Sequence, residues 1–396
     1  MHTPINKTIW RYYVFSFLRS CAFFSPVLIP FFTQWGGISL IQVQLLQSWY
    51  MLWIFLLEIP TGVVADYLGR KYSLILGSLV VACAAVLYGS IPRFEIFLIG
   101  EFLFGLGMAL SSGADDALVY DTLKDAGVEH ESKKVFGRAH SFGLFGIFVT
   151  ALLGSQIAAA WGLNAAMYLS AIPFALAAVA AWSLPEPQKY SATSESKRYL
   201  TIIKMGFVYF RDHTILRLLA LDAAVVACAA YFVIWFYQPL LMNLGVPVAY
   251  FGWFNALLIG SEIVVASNFT QLEKIAGSGR TYLKYAALIT TLAFLLVALY
   301  PHLITVSLFI ILAGGFGITR FELFTAYMNL HIPSDQRATI LSSISMFRRF
   351  GLILLNPLVG FVASYSLRGA LLGVGLLPIL VFFFSPLKNK MFEKNE

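Results

Sequence analysis

Residues 20–57 contain no Asp, Glu, Lys or Arg. Further charge-free runs cover 72–92, 141–185, 223–261, 285–319, 350–367 and 369–387. Runs of this length are the strongest constraint on the fold. A segment of about 20 apolar residues spans the hydrocarbon core of a bilayer as a helix. In lipid the backbone must satisfy its own hydrogen bonds, and these runs are continuous rather than alternating, which selects helices over a barrel. The 45-residue run at 141–185 is too long for one span, and its "WGLN" (161–164) reads as a turn between two. Composition agrees: 59% of residues are hydrophobic and 12% charged, against about 25% charged in soluble domains.

Counting turns gives twelve predicted spans: 9–33, 39–65, 70–90, 93–122, 133–160, 163–185, 213–243, 248–272, 280–299, 301–330, 337–364 and 368–387. Lys and Arg alternate between their ends. One side collects Lys7, Arg11, Arg70, Lys71, Lys124, Lys133, Lys134, the 189–217 segment, Lys274, Arg280, Lys284, Arg337, Lys388 and Lys390; the other holds little beyond Arg93 and Arg368. The positive-inside rule then predicts a multi-pass protein of the cytoplasmic membrane with both termini and the middle loop inside the cell. In this setting the net charge of +7 orients spans, and no nucleic-acid partner is expected. The expected partners are the lipid bilayer, a small-molecule substrate and a coupling ion, with the monomer as working unit. Cys21, Cys83 and Cys228 lie inside apolar runs and fit no metal or disulfide pattern. Arg11 and Arg19 interrupt the first run, which reads as a permanent span rather than a cleaved signal peptide.

The polar stretch "PEPQKYSATSESKR" (185–198) divides the chain. We expect an N-terminal bundle over 1–185, a linker over 186–212 whose 199–213 part forms an amphipathic surface helix, and a C-terminal bundle over 213–396. The halves resemble one another. "LLEIPTG" (56–62) and "GSEIVVA" (260–266) both place Glu-Ile in a second span, "GLG" (105–107) and "GFG" (315–317) mark a fourth, and Arg19 and Asp222 a first. The expected fold is all-α, with twelve transmembrane helices in two pseudo-symmetric six-helix bundles. Such repeats place substrate near the midplane and work by alternating access.

Between spans 2 and 3 stands "GVVADYLGRK" (62–71). Its pattern G-x-x-x-D-x-x-G-R-K resembles motif A of the major facilitator superfamily, matching at Gly62, Asp66, Gly69, Arg70 and Lys71 and departing at Tyr67, where a basic residue is usual. The resemblance implies that this cluster latches the outward-open state. Within it, Gly62 admits a close helix, Asp66 faces the start of span 11, Gly69 makes the turn, and Arg70 reaches Asp121 or Asp116 at the end of span 4. "EFLFGLGMA" (101–109) resembles motif B, with Glu101 where Arg is usual. Motif C of the antiport exporters is matched poorly by "SFGLFGIFVTALLGSQIA" (141–158), which has Gly143, Gly146 and Gly154 but no proline.

Ionisable groups inside spans are expensive and therefore functional candidates. On a helix, Gln44, Gln47, Ser48, Met51, Phe55, Glu58 and Gly62 share one face, a polar stripe expected to border a water-filled cavity. Glu58 is expected to pair with Arg348 or Arg349, and Glu262 to face Arg138 and His140. Asp115, 14 residues after Glu101, lies about 21 Å further along a continuous helix. Asp115 with Arg19 is the leading proton or cation site, Asp222 the second, and Asp116 is assigned to the motif A network. Arg320 and Glu322 are further mid-span charges. "YFVIWFYQP" (231–239), with Tyr231 and Trp235, offers aromatic faces to a substrate; Gln238, Asn255 and Tyr327 are polar candidates for the same cavity.

The function expected from this reading is secondary active transport coupled to an ion, the proton first. Efflux of an amphipathic or cationic compound ranks slightly above uptake of a metabolite, and a non-transporting sensor on the same scaffold ranks below both. No nucleophile constellation or cofactor motif points to an enzyme, and no G-x-x-x-x-G-K-[ST] loop points to ATP-driven pumping.

Overall fold

The computed structural model describes residues 3–186, 208, 211–332 and 337–392. Among these residues there is no strand. Twelve helical segments are long and apolar enough to cross a membrane: span 1 (Ile5–Trp35), span 2 (Leu40–Glu58), span 3 (Arg70–Ser90), span 4 (Phe94–Asp125), span 5 (Glu129–Trp161), span 6 (Leu163–Trp182), span 7 (Thr214–Asn243), span 8 (Val248–Ser267), span 9 (Gly279–Leu299), span 10 (Leu303–Met328), span 11 (Ser343–Tyr365) and span 12 (Leu367–Phe384). The helix of span 2 continues to Leu68. "WGLN" is the turn between spans 5 and 6, with Gly162 at φ +97°. The expected amphipathic helix over 199–213 lies almost wholly outside the described residues.

The chain divides into two compact units, Met1–Ser196 with Val248–Asn255, and Lys197–Pro247 with Ala256–Glu396. Residues 248–255 group with the first because they pack on span 5: Ser155 Oγ and Gln156 Nε2 both donate to Ala249 O, at 3.0 and 2.8 Å. In the first unit, span 3 packs on spans 4 and 6, span 2 on span 4, and span 1 on spans 5 and 6. In the second, span 9 packs on spans 10 and 12, and span 7 on spans 10 and 12.

Lipid tails are as apolar as leucine, so close backbone approach rather than hydrophobicity holds such helices together. Span 5 shows how the sequence provides this. Three of its four glycines face span 1, and a Cβ there would lie 2.9 Å from Ser20 Oγ at Gly143, 2.6 Å from Phe17 O at Gly146 and 1.9 Å from Phe23 O at Gly154. In span 10, Ile310–Ile318 winds as a π-helix, and Gly317 leaves room for Ala230 and Thr290. The π-helical stretch shifts the register by which Arg320 is aimed.

Because the obstruction at Gly154 is backbone, it cannot rotate away. Gly154→Ala should destabilise the protein by about 1–3 kcal/mol, read as a fall in thermal transition temperature in detergent. Gly137→Ala, where nothing lies within 4 Å of the new carbon, should leave that temperature unchanged.

Candidate functional site

Span 4 is not one continuous helix. Its first helix runs Phe94–Ser111. Gly113 then takes φ +73°, a left-handed conformation that glycine adopts at little cost. A second helix starts at Ala114 with Asp115 and Asp116 in its first turn, where the positive end of the helix dipole favours carboxylates. The break rotates both acids away from the positions a continuous helix gives them. Asp115 Oδ2 meets Arg19 Nη2 at 3.0 Å, as expected. Asp116 does not join the motif A network: Tyr12 OH donates to its Oδ1 at 3.2 Å, and its backbone N–H donates to Asp115 Oδ1 at 2.9 Å.

These groups line a cavity of about 450 Å³ within the first unit, whose walls also include Ser16, Ser20 and His140. His140 therefore stands with Asp115. The Arg19 and Asp115 side chains are 34% and 14% exposed, so the pair is neither sealed in the core nor free in water.

The second unit carries a pair at the same two helices with the charges exchanged. Asp222 is on span 7 and Arg320 on span 10, as Arg19 is on span 1 and Asp115 on span 4. Arg320 Nη2 meets Asp222 Oδ1 at 2.5 Å, Nη1 donates to Asp222 O at 3.1 Å and Nε to Leu283 O at 3.0 Å. Ser385 Oγ donates to Asp222 Oδ2 at 2.5 Å, and the guanidinium stacks over Phe324 at 4.6 Å. The two side chains are 2% and 3% exposed. Here the strong groups of the pair are met by protein partners, and the cavity beside it measures only about 10 Å³. This pair fastens spans 7, 9, 10 and 12 together.

Glu101 is buried and accepts from Gln47 Nε2 at 2.9 Å. It forms no ion pair among the described residues and does not border the Asp115 cavity. Of the expected polar stripe on span 2, Gln44 and Gln47 are buried, at 2% and 6% exposed, while Ser48, Met51, Phe55, Glu58 and Gly62 are half-buried. Gln47 meets span 4, where it supplies the buried Glu101 carboxyl with its hydrogen bond. Glu262 is half-buried near Glu322, a second acid of its own unit. On span 7, Tyr231 packs against Phe232 and Trp235 at 5.4 and 6.0 Å between ring centroids. Arg348 lies over the Phe321 ring at 4.9 Å, and Cys228 Sγ reaches Arg348 O at 3.9 Å.

The motif A turn is built as its residues imply. Gly69 has φ +109°, and the Arg70 guanidinium pairs with Asp121. One partner was not foreseen. Glu186, the second residue of the polar stretch, accepts from Arg70 N at 3.0 Å and Lys71 N at 2.9 Å. Its carboxylate caps the orphan N–H groups at the start of span 3, and a Cβ on Gly69 would lie 2.8 Å from its Oε1. In the second unit, Tyr327 at the end of span 10 donates to Glu273, whose carboxyl is pushed above its ordinary range by burial.

The model of the Major Facilitator Superfamily matches residues 13–356, and the chain belongs to that family. It is a multi-pass membrane transporter rather than an enzyme. Over 310 residues it is 24% identical to the protein assigned as the niacin/nicotinamide transporter NiaP of Bacillus subtilis, covering 76% of this chain and 74% of that one. Over 159 residues it is 24% identical to the L-fucose-proton symporter of Escherichia coli, covering 37% of this chain and 35% of that one. Among solved structures, the nucleoside transporter NupG superposes with a TM-score of 0.78 at 15% identity, covering 98% of this chain and all of that one. A bacterial homologue of the human lysosomal transporter Spinster gives 0.79 at 15%, covering 99% and 98%. At these identities the superpositions establish the fold.

The two ion pairs should respond differently to the same chemistry. Asp222→Asn leaves a buried guanidinium uncompensated and should cost about 3–5 kcal/mol. Asp115→Asn breaks a partly hydrated pair and should cost below about 1 kcal/mol. Thermal unfolding of the two variants in detergent checks the order.

Proposed function

We propose that the protein is a proton-coupled importer of a small metabolite in the cytoplasmic membrane, working by alternating access, with Arg19 and Asp115 as the coupling pair. One observation carries this reading: an ion pair inside a span, 3.0 Å long, open to a polar cavity and accompanied by Asp116, Tyr12 and His140. A carboxylate whose counter-ion is withdrawn while a second carboxylate stands beside it, as Asp116 does here, takes a proton more readily. Substrate binding that competes for Arg19 would withdraw it. The sealed Asp222–Arg320 pair has no such freedom, and we assign it to the scaffold.

Import is favoured over the efflux expected from sequence because the relatives are named for niacin or nicotinamide transport and for fucose-proton symport. The poor match to motif C points the same way. We retain as proposals the two-bundle division near the linker, the termini inside the cell, the monomeric unit, and a latch of Gly62, Asp66, Gly69, Arg70, Lys71 and Asp121 supported by Glu58, Glu262, Arg348 and Arg349. Glu101, Tyr231 and Trp235 enter as supporting groups of the transport path.

The test uses proteoliposomes with a panel that includes nicotinamide, L-fucose and uridine, and an internal pH dye. The active solute should carry protons inward with it. Asp115→Asn should lose accumulation driven by a pH gradient, at least tenfold, yet keep solute counterflow. Proton movement opposite to the solute would establish antiport, and unchanged accumulation in Asp115→Asn would remove this residue from coupling.

A further inference from the structure

Arg19 borders a second cavity. Besides the polar space shared with Asp115, its side chain forms part of the wall of a cavity of about 180 Å³ within the first unit. The rest of that wall includes Phe24, Tyr50, Val81, Phe104, Met108 and Phe174. An apolar cavity of about 150 Å³ takes up benzene, so this one has room for a single six-membered ring. The wall also carries the hydroxyls of Ser111, Tyr50 and Ser78, the last engaged by Leu74 O of its own helix at 2.8 Å. Among the described residues, Arg19 is the one charged group on the wall. A cation with aromatic and aliphatic walls on one side selects an anion with a compact apolar body. The acids Asp115 and Asp116 on the other side of Arg19 disfavour a second negative charge on the ligand.

We propose that the substrate class is a small monocarboxylate bearing one ring, its carboxylate on Arg19 and its ring in this cavity. The proposal rests on the reading of Arg19 and Asp115 as the coupling pair. On binding, the ligand carboxylate replaces Asp115 at the guanidinium. Asp115, which faces Arg19, Asp116, Tyr12 and His140, takes up one proton. The charges balance: a neutral ion pair, one anion and one proton become a neutral acid and a new neutral ion pair. The loaded site therefore carries no net charge beyond that of the empty one. Its transport step should respond to a pH gradient and not to membrane potential.

Ring acids cross bilayers unaided, so the test is a binding measurement on the purified full chain. Calorimetry in buffers of different ionisation enthalpy reads affinity and proton uptake together. Benzoate should bind with about one proton taken up per site. Benzamide, benzylamine and acetate should bind at least tenfold more weakly. Arg19→Gln should lose at least tenfold in benzoate affinity, and Arg19→Lys should retain part of it. Val81→Phe, which fills the cavity without touching the charges, should lose benzoate binding. Asp115→Asn should bind benzoate more tightly than the wild type and take up no proton. Benzamide or benzylamine binding as tightly as benzoate, or full affinity in Arg19→Gln, would overturn the substrate class. Asp115-dependent proton uptake with an uncharged solute would overturn that class while leaving the coupling pair standing. Benzoate bound without any Asp115-dependent proton would overturn the coupling reading alone.

Discussion

A charge inside a membrane must be paired, hydrated or neutralised, and the two units of this protein meet that demand in opposite ways. In the second, Asp222 and Arg320 are buried and satisfy their donors and acceptors with one another, with Ser385 and with backbone carbonyls. Such a pair is costly to break and has no second arrangement at hand. In the first, Arg19 and Asp115 meet at the edge of a cavity and keep partial exposure. That pair has a hydrated alternative. A transporter needs one charge element that can exchange partners and a frame that does not follow it. We propose that the first unit supplies the former and the second unit the latter, a reading supported by the exposure of Arg19 and Asp115 and the burial of Asp222 and Arg320.

The break at Gly113 is what makes the first pair possible. A straight span 4 would hold Asp115 and Asp116 at the angles of one continuous helix. The restart at Ala114 instead gives both acids a helix N-terminus and turns them towards Tyr12 and Arg19. Span 5 packs closely on the Phe17 and Phe23 backbone of span 1, on either side of Arg19, through Gly146 and Gly154.

Much of the fold was legible because bilayer thickness turns apolar run length directly into spans. The predicted 70–90 coincides with Arg70–Ser90, the predicted 39–65 and 337–364 correspond to helices Leu40–Leu68 and Arg337–Tyr365, and the other boundaries fall within a few residues except at the end of span 8. Arg19 with Asp115 and Arg70 with Asp121 could be anticipated, the former from the cost of mid-span charge and the latter from the motif. Asp116 was misplaced because extrapolation along an ideal helix cannot see the kink that one glycine introduces. Gln47 was on the expected face of span 2, but periodicity gives a face and not the neighbour it meets, so its bond to Glu101 was missed. Asp222 and Arg320 were recognised singly and not as partners. Glu186 was hidden in a polar stretch 115 residues from Lys71, where composition reads as linker and only the fold brings the carboxylate to the start of span 3.

The central proposal is that Asp115 exchanges the coupling proton while the buried Asp222–Arg320 pair serves the scaffold. Infrared difference spectra of the purified protein across a pH titration address this through the protonated-carboxyl stretching band. The account predicts a component of that band that vanishes in Asp115→Asn and persists in Asp222→Asn. A band unchanged by Asp115→Asn, or one lost only in Asp222→Asn, would contradict it.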